Sequence, residues 1–362
     1  MKKRNLHTKK YQDISSQREE INRKRSKPYM PHLPNKKKIF GRIEIVAPRV
    51  FSLFGDNYSF FLDFIEDVKV NVQENNKVLI NLSQVEDVKV SALLVFYANI
   101  EQSQKQYNSK AIIKTTVCKT RFISMIFEKF GIWKLTNEDR HRPVYPKQPG
   151  LELEICTASV GMNRNNEDSR LQLRKVINYT KKSLENTTLD DDNDSAFAAI
   201  TESVSNVGQH AYDNQFFSEE FEGYLKNWWI IVHKIGDQLF ISVYDMGAGI
   251  PDTISNKPGI QALISSIAKA VNLPIISLGD GSRIKAAVEY GTSRFKVDNR
   301  GKGLSEAKEF VANNPEGELL IYSGFGSYTF CSINAEEEVE NLPKCFAGTL
   351  IQWNLKLENS YE

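Results

Sequence analysis

The sequence predicts an α+β protein made of two unequal parts behind a basic arm. Three observations carry that reading. Strand-like and helix-like patterns alternate from residue 39 to about 136, a charged stretch rich in proline follows at 137–150, and beyond it hairpin-forming strands lie among helices. The first part (39–136) reads as a small α/β domain. The second (151–362) reads as an α+β sandwich, hairpins with helices beside them.

The arm, residues 1–38, holds 13 Lys and Arg against 3 Asp and Glu, a balance of +10, while the rest of the chain carries −8. Pro28, Pro31 and Pro34 and a shortage of aliphatic residues predict a disordered segment. Such an arm suits nucleic acid phosphates, an acidic protein partner, or plain solubilisation. Over the whole chain the composition, 41% hydrophobic and 25% charged, is that of a globular protein. No apolar run approaches bilayer-spanning length, and the basic start lacks the apolar core of a signal peptide. Cys118, Cys156, Cys331 and Cys345 are scattered, with no pair at metal-ligand spacing. A cytoplasmic chain with free thiols and no membrane partner is therefore expected.

In chain order, Arg42–Val46 reads as a strand and 55–75 as an amphipathic helix. Lys77–Leu82 is a near-continuous apolar run, typical of a strand buried on both faces. Ser91 to about Gln106 has helical periodicity, Ala111–Ile113 is a short strand, and 120–129 a further helix. After the 137–150 linker, with Pro143, Pro146, Pro149 and Gly150, comes a helix at 167–187. The acidic run Asp190–Asp194 then breaks the chain and caps the next helix. Trp228–Ile235 and Gln238–Tyr244 are strands joined at Gly236-Asp237, a hairpin turn. Residues 305–313 are helical. Glu318–Ser323, Ser327–Ile333 and Thr349–Leu355 read as strands, with Gly324 and Gly326 connecting the first two.

Three local patterns carry chemistry. Asp245-Met246-Gly247-Ala248-Gly249-Ile250 closes a strand with a carboxylate and two spaced glycines. The carboxylate can accept hydrogen bonds from an exocyclic amine, and side chains at 247 and 249 would obstruct a flat ligand. On the helix from about Ser195 to Tyr212, Phe197, Ile200, Val204, Val207 and Ala211 form the core stripe. Glu202, Asn206 and His210 lie opposite at i, i+4, i+8, a set that can orient water and ligate a hard metal, or simply face solvent. Finally, Gly301-Lys302-Gly303-Leu304, preceded by Arg300, opens a helix and presents backbone N–H groups and positive charge to phosphate. The intervening stretch with Gly259, Pro274, Gly279, Gly281 and Gly291 has the composition of a mobile cover or a surface excursion.

In this order and spacing the patterns resemble the nucleotide-binding domain of the GHKL superfamily, which includes gyrase, histidine kinases and the anti-sigma serine kinases. Glu202-x-x-x-Asn206 is similar to its N-box, and Asp245-x-Gly247-x-Gly249 and Gly301-x-Gly303-Leu304 to its two glycine boxes. Gly348-Thr349 is similar to its late Gly-Thr element, and Tyr290-Gly291-Thr292-Ser293 to the lid of histidine-kinase-like members. The resemblance covers roughly 160–356 and implies a sandwich whose mixed sheet carries helices on one face. It implies ATP and Mg²⁺ as cofactors, with Asp245 on the adenine amine, Asn206 on the metal and Glu202 as general base or water-orienting group. Gly247, Gly249, Thr292, Gly301, Lys302, Gly303, Leu304 and Thr349 would complete the nucleotide site. His210-Ala211-Tyr212 resembles the end of this helix in anti-sigma kinases, and whether His210 is a ligand or structural stays open.

More faintly, residues 39–136 resemble a STAS domain of the anti-sigma-factor antagonist kind. Its acceptor turn, Asp-Ser-Ser-Gly, matches Lys89-Val90-Ser91-Ala92 here. Ser91 keeps the acceptor position, but Lys89 and Ala92 depart from the pattern, and an N-cap for the following helix is the plainer role of Ser91. None of His7, His32, His141 and His233 fits a phosphoacceptor on a dimerising helix, which counts against a sensor histidine kinase. The expected function is an ATP-binding switch of the GHKL type that hydrolyses ATP slowly and changes partners through lid closure. A protein-serine kinase of the anti-sigma type and a non-catalytic nucleotide-dependent binding module are the alternatives. A regulatory protein, nucleic acid on the arm and a second copy of the chain in a homodimer are the candidate partners.

Overall fold

The computed structural model describes residues 37–142, 154–161, 167–185, 187, 193–207, 211–213, 215–217, 225–255, 260–270, 279–290 and 303–358. Most of the basic arm and of the 137–150 linker, and the acidic run up to Asp192, lie outside them. The fold is α+β. Among the described residues no helix is long and apolar enough to cross a membrane.

The N-terminal unit builds a four-stranded sheet from β1 (Lys38–Ile39), β2 (Arg42–Val46), β4 (Val78–Asn81) and β6 (Ile113–Thr115). Pairing is parallel between β2 and β4 and between β4 and β6, with β1 antiparallel at the edge. The parallel pairs follow from the crossovers α1 (Asn57–Gln73) and α2 (Val90–Gln106), each long enough to return the chain to the same end of the sheet. β3 (Val50–Phe51) and β5 (Asp87–Val88) pair separately. Phe51 packs against Phe61, Phe64, Phe96 and Phe127 at ring-centroid separations of 5.2–5.9 Å, which ties both crossovers to α3 (Arg121–Phe130). A short α4 (Ile132–Leu135) follows. The third parallel strand sits at 113–115 rather than 111–113.

The C-terminal unit is a five-stranded sheet in the order β10-β11-β9-β8-β7. Its strands are β7 (Glu154–Gly161), β8 (Asn227–Ile235), β9 (Gln238–Asp245), β10 (Glu318–Cys331) and β11 (Glu336–Lys356). Every pairing in it is antiparallel, which corrects the expected mixed sheet. The reason is local: β8–β9 and β10–β11 are both hairpins, and hairpins pair antiparallel. Gly324 and Gly326 do not end a strand as expected. They bend one continuous strand through register shifts against Phe346 and Asn341, a β-bulge.

One face of this sheet packs under α5 (Glu167–Leu184), α6 (Asn193–Asn206), α9 (Asp280–Tyr290) and α10 (Gly303–Ala312), in a core holding Ile230, Val243 and Trp353. The other face is covered by the N-terminal unit: Trp229, Ile231, Tyr244, Tyr322 and Leu350 belong to the same core cluster as Phe51 and Phe96. Polar contacts pin the two units together. Lys105 Nζ donates to Asn227 Oδ1 (2.8 Å), and Asn227 Nδ2 donates to Gln102 Oε1 (2.9 Å). Tyr322 OH donates to Leu53 O (3.1 Å) and Tyr58 OH to Lys344 O (2.9 Å). A sheet covered on both faces accounts for β8, in which seven consecutive residues are buried.

Between β9 and α10 the stretch expected as a cover contains three helices: α7 (Ile250–Ile254), α8 (Ile260–Ala270) and α9. They share a core of their own built on Ile254, Ile260, Ile264, Ala287 and Tyr290. Glu337 on β11 holds α9 and α10 to the hairpin through ion pairs with Lys285 (2.5 Å) and Lys308, and it also accepts from Tyr328 OH (3.1 Å). The paired lysines hold its carboxyl down at about 2, against the pull of burial.

Candidate functional site

Asp245 ends β9, opposite Trp228 on one side and Thr349 on the other, and is 4% exposed. Strand alternation sends Tyr244 to the N-terminal unit and Asp245 to the helical side. The carboxylate Oδ1 accepts from Gly247 N (2.8 Å), closing a tight turn. Burial pushes its carboxyl up to about 7, with the backbone N–H groups of Gly247 and Thr349 pulling the other way.

The turn that follows is fixed by close backbone contacts. A side chain at 247 would place its Cβ 2.3 Å from Ala211 O, so only glycine fits against this segment. Ala248 N donates to the same Ala211 O (2.8 Å), and Met246 N donates to Tyr212 OH (3.2 Å). Gly249 has φ +87°, a conformation that glycine adopts without steric cost, and a Cβ there would meet Ser323 Oγ at 2.8 Å. Ser323 joins the pieces: its Oγ accepts from Ile250 N (2.9 Å), donates to Gly348 O (2.9 Å) and lies 3.2 Å from Thr349 Oγ1.

These residues wall a cavity of about 100 Å³. Val207, Val243, Ile250, Ile254, Leu304 and Ile351 supply apolar surface, while Asp245, Thr349, Thr253 and Ser203 supply polar groups. Ser203 is 1% exposed and its Oγ has no hydrogen-bond partner, so the cavity holds an orphaned hydroxyl beside a buried carboxylate. At about 30 Å³ per water the space corresponds to about three waters, the bulk of one ring system rather than of a whole nucleotide.

Of the residues singled out in the sequence, Asp245, Gly249, Leu304 and Thr349 line this cavity together, and Gly247 makes the close approach that shapes it. Gly303 is buried and opens α10, the helix that carries Leu304. Glu202 is half-buried on α6, next to the cavity-lining Ser203, but does not itself line the cavity. Asn206 ends α6, and its side chain is outside the description, as are His210, Thr292, Arg300, Gly301 and Lys302. The core stripe is present at Ile200, Val204, Val207 and Ala211, which share one cluster, while the side chain of Phe197 lies outside the description. The α-helical part ends at Asn206, and Val207 and Ala211 beyond it are π-helical, so helix is present up to the residue before Tyr212 among the described positions. Sequence reasoning missed Ser203, Thr253 and Ser323. Ser203 had a visible signal, a small hydroxyl one residue from Glu202 and adjoining the apolar stripe.

Ser91 is not the cap of its helix. Lys89 occupies the N-cap position and Ser91 lies in the first turn, 3% exposed where the two units meet. Among the described residues no group of three or more His, Cys, Asp and Glu side chains is placed to hold a metal. Cys118, Cys331 and Cys345 are free thiols.

In comparisons with known proteins, no family model matches the chain and no curated protein matches it.

Proposed function

We propose that the chain is an ATP-binding switch of the GHKL type, with the adenine ring in the Asp245 cavity. The observation that carries the reading is a buried carboxylate and an orphaned hydroxyl in an apolar, ring-sized space, next to a turn whose glycine admits no side chain. A carboxylate accepts from an exocyclic amine, Ser203 Oγ donates to a ring nitrogen, and the flat apolar walls exclude water. An amine on Asp245 favours the charged form that burial disfavours, so binding relieves a cost built into the empty fold.

A space this size leaves the phosphates outside the cavity, on the side where α10 begins at Gly303. Gly301, Lys302 and the helix N-terminus would meet them there, with Thr292 on the covering segment. Mg²⁺ needs only one or two protein oxygens, and Asn206, one turn beyond Glu202 on α6, is the residue that would hold it. Bound ATP supplies a transferable phosphoryl group. Glu202 would orient the attacking water.

The switch reading also draws on strand β9. Tyr244 packs on Trp229 (5.9 Å) and Phe346 (5.7 Å) in the core shared with the N-terminal unit, while the next residue, Asp245, faces the cavity. A change at the cavity is one peptide from the interdomain contact. The N-terminal unit, similar to a STAS domain, is accordingly assigned as the responding part. Phosphorylation of its own Ser91 is disfavoured because that hydroxyl is buried in the docked arrangement.

Incubation with ATP labelled in the γ-phosphate tests the reaction. Free labelled phosphate, slowly released and lost in Glu202→Gln, is the expected result. Label on the protein would mean a kinase, and neither product with tight ATP retention would mean a binding module.

A further inference from the structure

A second cavity, about 370 Å³, lies where the N-terminal unit meets the other face of the five-stranded sheet. Its walls are unlike. Leu93, Phe122 and Phe130 line it from the N-terminal unit, whereas the sheet contributes His233, Gln352 and Asn354. The two amides are already engaged: Gln352 Oε1 accepts from Ser242 Oγ (3.0 Å), Gln352 Nε2 donates to Asn354 Oδ1 (2.7 Å), and Asn354 Nδ2 to Glu318 Oε2 (2.6 Å). His233 is different. It is 4% exposed, and its Nε2 is the one buried, partnerless polar side-chain atom on this cavity among the described residues.

Size and polarity together indicate the occupant. By the same measure of about 30 Å³ per water, the volume would take about a dozen waters. An ordered water needs two to four polar partners, and apart from the paired Asp87 and Lys89 and the engaged amides these walls offer mainly carbon, the ring nitrogen of His233 and the hydroxyl of Ser91. An apolar molecule with a single hydrogen-bonding group matches them better. Its head should be neutral, since burial holds the imidazole uncharged, pushing it down to about 4. The nearest cation, Lys89, is paired with Asp87 (3.0 Å). A carboxylate head would lack a counter-charge.

We propose that this cavity binds a neutral amphiphile, an apolar ring or short alkyl chain bearing one hydroxyl, with the hydroxyl on His233 Nε2 and the apolar body against Leu93, Phe122 and Phe130. The molecule would touch both units at once and so favour their docked arrangement. The site is separate from the Asp245 cavity and does not depend on the nucleotide reading.

The test titrates the full chain with 4-alkylphenols of increasing chain length and with the matching alkylbenzenes, by calorimetry and by the histidine Cε1–H resonances. Saturable one-to-one phenol binding is expected, tightening about fourfold per added CH₂ until the cavity fills, with the His233 resonance moving. His233→Phe should weaken the phenols about tenfold and leave the alkylbenzenes within about twofold; Asp245→Asn should change neither. If His233→Phe does not fold, Ile155→Trp on β7 fills the same cavity and should abolish binding of both series. Absence of saturable binding, equal phenol affinity in His233→Phe, retained binding in Ile155→Trp, or loss of binding in Asp245→Asn would each overturn the proposal.

Discussion

Asp245→Asn should make the protein more stable at pH 8 while removing its ligand. The carboxyl sits at about 7 in the fold against an ordinary 3.8. A carboxyl raised by folding favours the native state at low pH, and that advantage disappears as pH climbs from 3.8 through 7. Linkage over this interval makes ionisation of Asp245 cost about 4 kcal/mol of stability at pH 8 and under about 2 kcal/mol at pH 5. Asparagine has nearly the same shape, keeps an oxygen for Gly247 N and never ionises. Wild type should therefore lose about 2–3 kcal/mol more than Asp245→Asn between pH 5 and pH 8, or roughly 5–10 °C of melting temperature for a body of this size. Urea denaturation of both proteins at the two pH values, without nucleotide, measures the difference. Parallel pH profiles would refute the reasoning, because they would mean the carboxylate is solvated in the empty protein.

Other expected outcomes follow from single contacts. Ser203→Ala removes an unpartnered hydroxyl, so stability should hold or rise slightly, while ATP affinity measured by calorimetry falls about fivefold, the worth of one neutral hydrogen bond. Gly247→Ala drives a Cβ into Ala211 O, and thermal melts should show a loss of about 1–3 kcal/mol together with weaker nucleotide binding. Glu337→Gln leaves Lys285 and Lys308 facing each other without their shared anion, and hydrogen exchange should report faster opening of α9 than of β9. With Glu337 depressed to about 2, its contribution is present above pH 4.5 and fades as pH falls through 2, so wild type should approach the variant in acid.

How much of this was legible in the sequence depends on what signals each feature carried. The β8–β9 hairpin, α1 and α2 were plain because apolar period and turn residues agreed there. Gly324 and Gly326 misled because glycine marks turns and bulges alike, and only the continued pairing with β11 separates the two. The first half of β11, Glu336–Cys345, was unreadable as strand: it is charged, contains Pro343 and leaves alternate side chains exposed beyond the sheet body. The docking of the N-terminal unit had one clue, the unbroken apolar run Trp228–Val232, which needs cover on both faces. In the site, Asp245, Gly247 and Gly249 were legible because backbone geometry restricts residue type there. Ser203 left only the small signal of a hydroxyl adjoining the apolar stripe, and Ser323 left none, since a serine that bridges two strands looks like any other serine until the chain is folded.

The most direct test of the central claim is ATP binding to wild type and Asp245→Asn by calorimetry at pH 8, where both are folded. The account predicts one saturable site in wild type, its affinity lowered at least about 100-fold in the variant, in line with loss of a buried charge-assisted hydrogen bond. Equal binding by the two proteins, or no saturable binding by wild type, would contradict it.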